Sequence, residues 1–162
     1  MRETEAELAQ LQRLLDESVE QAGAFLRSAF EMPDRSLSAA QLTARLQGSL
    51  TVAFATANRA GEPRVAPIGA FLLHGSFFLP TVAESARARH VLTRPGASLT
   101  YFEGTELAVI AHGRAVIVGA DDPEFAELDA TQVDVGGQSV REWQGRGAYL
   151  RLDAERMYTY AR

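Results

Sequence analysis

Cysteine and lysine are both missing from this 162-residue chain. Without cysteine there are no disulfides, no thiolate nucleophile, no iron–sulfur cluster and no cysteine-ligated zinc. Without lysine there is no Schiff-base chemistry, and all 16 basic residues are arginine. Histidine is scarce: His74, His90 and His112 lie too far apart for a metal motif, so no metal is expected. His74 reads as a turn residue and His90 as a helix-surface or capping residue. His112 reads as a satisfied strand histidine ahead of a ring contact. The net charge of −5 provides no global basic field, so no nucleic-acid partner is expected. No apolar run is long enough to span a bilayer, and the acidic N-terminus lacks a signal-peptide core. The expectation is a cytoplasmic protein with no membrane partner. No Ser-His-Asp order or paired-carboxylate pattern stands out, so no acid or base is assigned and the catalytic residues stay unknown.

What is present is an ordinary globular composition, 46% hydrophobic and 23% charged, at a length that suits one core. Glu3–Phe30 is helical in period: Leu8, Leu11, Leu15, Val19, Ala22 and Leu26 form one apolar stripe. Its polar face is acidic, so the stripe is expected on a barrel or a partner subunit and not on a lipid surface. Ser38 and Gln41 make a capping box for a second short helix ending at Gly48. Residues 1–48 thus read as a helical extension and 49–162 as the main domain. From Leu50 the period becomes that of strands. Leu50–Ala57, Pro63–Leu73, Phe77–Pro80, Ala97–Phe102 and Leu107–Val118 are followed by Ala148–Leu152 and Arg156–Tyr160. Pro67 suits an edge or bulge, and Gly113 marks a bulge inside a long strand. Asp121-Asp122-Pro123 reads as the cap of a short helix through Leu128. Between Thr131 and Gly147 only one helical turn, Val140–Trp143, is expected. Trp143, Tyr149, Tyr158 and Tyr160 read as packing residues, one of them at the border of a site. The pattern predicts a mainly β (α+β) fold: a six- to seven-stranded antiparallel barrel with helices at its ends and short helices between strands.

The chemistry concentrates in Phe77–Tyr101. Thr81 and Ser85 are hydroxyl residues of the kind that open a helix, Arg87 and Arg89 follow within its first turns, and Arg94-Pro95-Gly96 ends it. Hydroxyls and guanidinium groups beside a helix N-terminus make a seat for an anion.

Gly61-Glu62-Pro63-Arg64-Val65-Ala66-Pro67, Phe78-Leu79-Pro80-Thr81, Ser85-Ala86-Arg87-Ala88-Arg89-His90, Pro95-Gly96-Ala97-Ser98-Leu99 and His112-Gly113-Arg114-Ala115 follow in order. As a series they resemble the pyridoxamine 5′-phosphate oxidase-like, FMN-binding split barrels, strongly over Leu46–Val118 and weakly in the closing strands. The resemblance implies a homodimer with FMN in a groove at the subunit interface. It implies a ring lying along Arg64, Val65, Ala66, Pro67 and Ile68. It implies a phosphate held by the segment Thr81–Arg89, with Thr81, Ser85 and Arg87 in contact, and it counts Leu79 and Pro80 just before that segment among the cofactor-binding residues. Arg87 stands where the family's phosphate-binding lysine usually is, and keeps the charge with a wider fork. Ala86 stands where some members have a second basic residue, so that contact is missing unless Arg89 replaces it, and the secondary ionic contact is expected from Arg89 or Arg64. The family's oxidases carry a C-terminal Arg-x-His pair for their substrate. No such pair follows the closing strand here, so the vitamin B6 reaction itself is not expected. A sister group binds the deazaflavin coenzyme F-420 in the same fold. The implied function is an FMN-dependent oxidoreductase moving a hydride to or from a small organic substrate. The alternatives are a deazaflavin-dependent reductase and a non-catalytic flavin-binding protein. In all of them the cofactor carries the redox chemistry and the protein positions it.

Overall fold

The apolar stripe near the N-terminus forms helix α1, Glu5–Gln21, in the computed structural model, which describes residues 3–162. The first two residues of the 1–48 extension lie outside the described residues. Thr4 and Glu7 close a capping box on α1: the Thr4 hydroxyl accepts from the Glu7 N–H, and the Glu7 carboxylate accepts from the Thr4 N–H. Leu11 and Leu15 enter the main core. Ser18, also buried, donates to the Leu14 carbonyl at 2.6 Å and accepts the Met157 N–H at 2.9 Å. That second bond ties the helix directly to the sheet.

The helix expected to continue to Phe30 breaks. Ala22 takes an extended conformation, Gly23 caps a separate helix α2, Ala24–Ala29, and the Arg27 guanidinium donates back to the Val19 carbonyl. The stripe continues across this break in sequence, but the backbone does not. Helix α3, Ala39–Arg45, carries the expected Ser38–Gln41 box, and Leu42 and Leu46 are buried.

Six strands follow: β1 Leu50–Ala57, β2 Pro63–Leu73, β3 Ser76–Val82, β4 Gly96–Glu103, β5 Leu107–Val118 and β6 Gly147–Ala161. They close into an antiparallel barrel in the order β1-β2-β3-β6-β5-β4. The two closing strands expected from the sequence are one strand of 15 residues. The charged Asp153-Ala154-Glu155 run reads as a break but is extended. It pairs through a bulge at His112/Gly113, where Ala154 faces Gly113 and Arg156 faces His112. A Cβ on Gly113 would lie 2.1 Å from the Asp153 carbonyl oxygen, so only glycine lets β6 approach there.

Alternation divides the packing into two cores. Val52, Phe54, Ile68, Leu79, Leu99, Val109, Leu150 and Met157 point into the barrel with Leu11 and Leu15 of α1. Phe71, Leu73, Phe78 and Tyr149 point outward beneath helix α5, Phe125–Gly136. α5 runs well beyond the expected end at Leu128. Its buried face includes the polar Asp129 and Thr131, which hide the apolar stripe. Asp122 braces the preceding turn by accepting the Gly119 N–H and does not cap the helix, whose N-cap is Glu124. The expected turn near Val140 is a 3-10 turn, Val140–Glu142.

The feature that positions the site is a partial split. β1 and β2 pair along their length, from Leu50–Ala70 to Ala57–Pro63. β2 and β3 pair only at Phe71–Phe78, Leu72–Phe77 and Leu73–Ser76. The first part of β2, residues 63–70, has no strand partner on that side among the described residues. Helix α4, Ala86–Thr93, connects β3 to β4 at this opening and contacts β1 and β5.

Candidate anion and cofactor groove

Between α4 and the free part of β2 lies a groove of about 260 Å³. β1 contributes Phe54 and Thr56, β2 contributes Arg64, Val65 and Ala66, and α4 with its cap contributes Ser85, Ala86, Arg87 and His90. Thr56 and Arg64 face each other across the β1–β2 ladder, so both side chains lie on the barrel-mouth side of the sheet. Val65 alternates to the outer face and is 70% exposed.

The seat expected from Thr81, Ser85 and Arg87 is assembled as a chain of bonds. Ser85 caps α4 by accepting the Ala88 N–H at 3.2 Å. Its hydroxyl lies 3.1 Å from that of Thr81, which also accepts from Arg87 Nη1 at 3.3 Å. Thr81 is a buried strand residue and not a helix opener. Its pairing with Ala148 fixes the base of the seat. Arg87 thereby uses one N–H of its fork, and the others have no protein partner among the described residues.

Arg64 is tethered at the rim. Its Nη2 donates to Glu62 Oε2 at 2.7 Å and its Nη1 to the Pro63 carbonyl at 3.0 Å. Hydrogen bonds from Asn58, and then from Arg64, hold the Glu62 carboxyl below its ordinary range. Glu62 belongs to the β1–β2 turn and does not line the groove. No carboxylate lines it at all among the described residues. Every polar side chain there is a donor or a hydroxyl, in a chain of net charge −5. Two wider clefts, about 510 and 520 Å³, flank α1. Asp16 and Glu20 line one, and in the other Glu7, Glu17 and Asp153 stand beside Arg13 and His74, so neither cleft has the carboxylate-free lining of the groove.

The remaining expected site residues are placed as follows. Ile68 and Leu79 are buried in the barrel core, so only their backbones are available to a ligand. Pro67 is exposed on the outer face of β2, and Pro80 is half-buried opposite Tyr149. Arg89 does not join the seat: it is exposed, and its Nη1 donates to the Glu84 carbonyl on the outer side of the turn. Arg94 folds back to the Arg59 carbonyl beside Gly61.

Two groove residues did not emerge from the sequence reading. Thr56 is the polar last member of an inward-facing series, Leu50, Val52, Phe54, Thr56. His90 lies one helical turn after Arg87 and is not a free surface or capping residue. Its Nδ1 is 2.9 Å from Thr56 Oγ1. The signals were there, a hydroxyl in an apolar period and an i,i+3 spacing, but their meeting depends on how α4 sits on β1. His112 is satisfied as expected, with Nδ1 2.7 Å from Ser98 Oγ on the outer face of the barrel. Among the described residues no group of side chains could hold a metal ion, and no helix is long and apolar enough to cross a membrane.

Comparison with known proteins agrees with this fold. In solved structures the fold recurs in a conserved hypothetical protein from Mycobacterium tuberculosis, with TM-score 0.68 and 21% identity over 80% of this chain and 88% of that one. It recurs in an F420 reductase, with TM-score 0.56 and 14% identity over 69% of this chain and 91% of that one. It also recurs in a pyridoxamine 5′-phosphate oxidase-related, FMN-binding protein from Nostoc punctiforme, with TM-score 0.53 and 13% identity over 67% of this chain and 73% of that one. At these identities the likeness is one of fold. No protein of curated function matches the sequence. The family model described as pyridoxamine 5′-phosphate oxidase matches residues 38–161, from the cap of α3 to the end of β6. The chain therefore belongs to the pyridoxamine 5′-phosphate oxidase family.

Proposed function

We propose that the groove binds FMN and that the protein is an FMN-dependent oxidoreductase acting on a small organic molecule. The observation that carries this reading is the donor-only lining: Arg64, Arg87, Ser85 and His90 meet at one groove with no carboxylate among them. A phosphate must lose water to bind there, and that loss is tolerable only where charge and donors replace it. Arg87 supplies the main ionic contact, Ser85 and Thr81 orient its fork, and Arg64 supplies a second contact once released from Glu62. The unpaired part of β2 offers backbone groups to the edge of a flat ring. Bound FMN supplies the hydride chemistry, and the chain's own residues bind, orient and exclude water.

A homodimer fits the same surface. Val65 lines the groove and also opens the outer row Val65, Ala55, Ser98, so groove and sheet face are continuous. That face carries the small, uncharged Ala53, Ala55 and Thr100 and the exposed Phe102. A second copy of the chain would cover both the face and the open side of the groove.

Titrating the apo-protein with FMN and with the deazaflavin coenzyme F-420, by fluorescence quenching, tests the reading. FMN binding that weakens about ten- to a hundredfold or more in Arg87→Ala supports it. Preference for the deazaflavin replaces FMN by that cofactor on the same seat, and binding of neither overturns the reading. Turnover of the loaded protein with a reduced nicotinamide then separates an oxidoreductase from a flavin carrier. Light scattering at micromolar concentration tests the dimer, which a monomeric mass would exclude.

A further inference from the structure

His90 is the polar group of the groove whose role the phosphate seat does not account for. It follows Arg87 by three residues and Ala86 by four, so the three share one face of α4. Ala86 carries only a methyl group and leaves the imidazole accessible to the groove that both residues line. On the other side His90 meets Thr56, with 2.9 Å between Nδ1 and Oγ1.

That contact selects a tautomer. Thr56 is only 6% exposed, and among the described residues its hydroxyl has no partner other than His90. A buried hydroxyl hydrogen without an acceptor is costly. An unprotonated Nδ1 is the acceptor that satisfies it. Were Nδ1 to carry the hydrogen, Thr56 would accept a bond and its own O–H would point at nothing. Pairing both groups therefore puts the imidazole hydrogen on Nε2. Nε2 has no protein partner among the described residues. It is a donor held by β1 at a groove lined by donors.

We propose that His90 is a further ligand-contacting residue, whose Nε2–H, set by Thr56, donates to a phosphate oxygen of the bound cofactor beside Arg87. The inference rests on the reading of the groove as an FMN site. It adds that the phosphate is gripped by two successive turns of α4 and that a β1 hydroxyl decides which imidazole nitrogen faces it.

The test uses the full-length protein, 15N-labelled, with the imidazole resonances assigned by comparison with His90→Gln. FMN, riboflavin and inorganic phosphate are the probes. The expected result has three parts. Free protein shows the Nε2–H tautomer at His90. FMN and inorganic phosphate shift its ring signals, whereas riboflavin does not. His90→Leu weakens FMN binding about tenfold, the effect of one hydrogen bond to a charged group. His90→Gln recovers most of this because its amide reaches the place of Nε2. Thr56→Val leaves the ring in mixed tautomers and costs severalfold in affinity. If FMN binds with an Arg87-dependent affinity while the His90 signals stay unmoved, His90 is a strut between α4 and β1. The inference then falls and the cofactor reading stands. If riboflavin shifts His90 as much as FMN does, the phosphate contact is overturned. If wild-type protein binds no FMN, both fall together. Should His90→Leu fail to fold, the wild-type shifts and the Gln variant still decide the matter.

Discussion

Two polar clusters lie one residue apart along β6, and they are opposite in kind. Thr81 of the groove pairs with Ala148, and the next residue, Tyr149, points to the far side of the sheet. There the Asp129 carboxylate accepts from Ser139 Oγ at 2.6 Å, from the Val140 N–H at 3.0 Å and from Tyr149 Oη at 3.1 Å. Arg141 stands 3.4 Å away and also covers the Phe125 ring. Donors and acceptors balance, and the cluster is closed by α5. Burial, followed by the nearby Asp129 charge and hydrogen bond, drives the Tyr149 hydroxyl far above its ordinary range, so it stays a donor. The groove cluster has donors and hydroxyls, no acceptor charge, and an open side. A balanced buried cluster holds a fold together, whereas an unbalanced one at an opening calls for a ligand to complete it. Under the proposed function, the same contrast makes Arg141 a structural cation and Arg87 a binding one.

The comparison is broken most sharply at Asp129. Asp129→Ala leaves a tyrosine hydroxyl, a serine hydroxyl and a backbone N–H without their acceptor, and should lower stability by about 3 kcal/mol. Chemical denaturation measures this, and a wild-type midpoint would show that the cluster is not structural. Arg87→Ala should do the reverse. It should weaken FMN binding about ten- to a hundredfold or more, with a melting temperature close to wild type. A large drop in melting temperature would make Arg87 a structural residue after all. Ser85→Ala falls between the two classes because Ser85 both caps α4 and orients the seat. About 1 kcal/mol of stability should be lost with the cap, and FMN affinity should fall by less than in Arg87→Ala. An affinity loss as large as that of Arg87→Ala would move the main contact to Ser85.

A third cluster gives the smallest effect and a sign. His74, at φ 52° in the β2–β3 turn, lies between α1 and α5. Its Nε2 is 3.0 Å from Glu127, and its Nδ1 makes a 2.9 Å ionic contact with Glu7 that is not aligned as a hydrogen bond. Burial alone would lower its pKa, but Glu127 and Glu7 outweigh burial and raise it. A raised folded-state pKa stabilises below the unfolded value, about 6.5, and that contribution is lost as pH rises through the folded value. The ring is more than a third exposed, so the effect is screened and small. The melting-temperature difference between wild type and His74→Gln should shrink from pH 6 to pH 8. A difference that grows with pH would contradict the clasp.

Much of the framework was legible in the residues. Leu50–Ala57, Pro63–Leu73 and Leu107–Val118 have the strand limits that their alternation predicts, because period two survives wherever one face of a strand is buried. Gly113 marked its bulge, and Ser85 and Pro95 marked the ends of α4, because these positions make local demands on the backbone. The misses share another cause. The closing strand stays paired to β5 because Glu155 bulges out of the ladder, between Ala154 opposite Gly113 and Arg156 opposite His112. α5 extends to Gly136 with Asp129 on its buried face, where Ser139 and Val140 beyond the helix and Tyr149 of β6 satisfy the carboxylate.

The same boundary runs through the site. Ser85 and Arg87 lie within two residues of each other at a helix start, so the sequence alone brings that part of the seat together. Thr81 needed β6, Arg64 needed the split between β2 and β3, and His90 needed Thr56 from a strand 34 residues away. Arg89, two residues beyond Arg87, is turned out to the Glu84 carbonyl by the rotation of the helix. Local chemistry determined that Ser85 and Arg87 would meet at the start of one helix. Only the packing of α4 on the open barrel decided which cations face the groove, because side-chain direction at a tertiary contact is set by the partner surface and not by the neighbours in sequence.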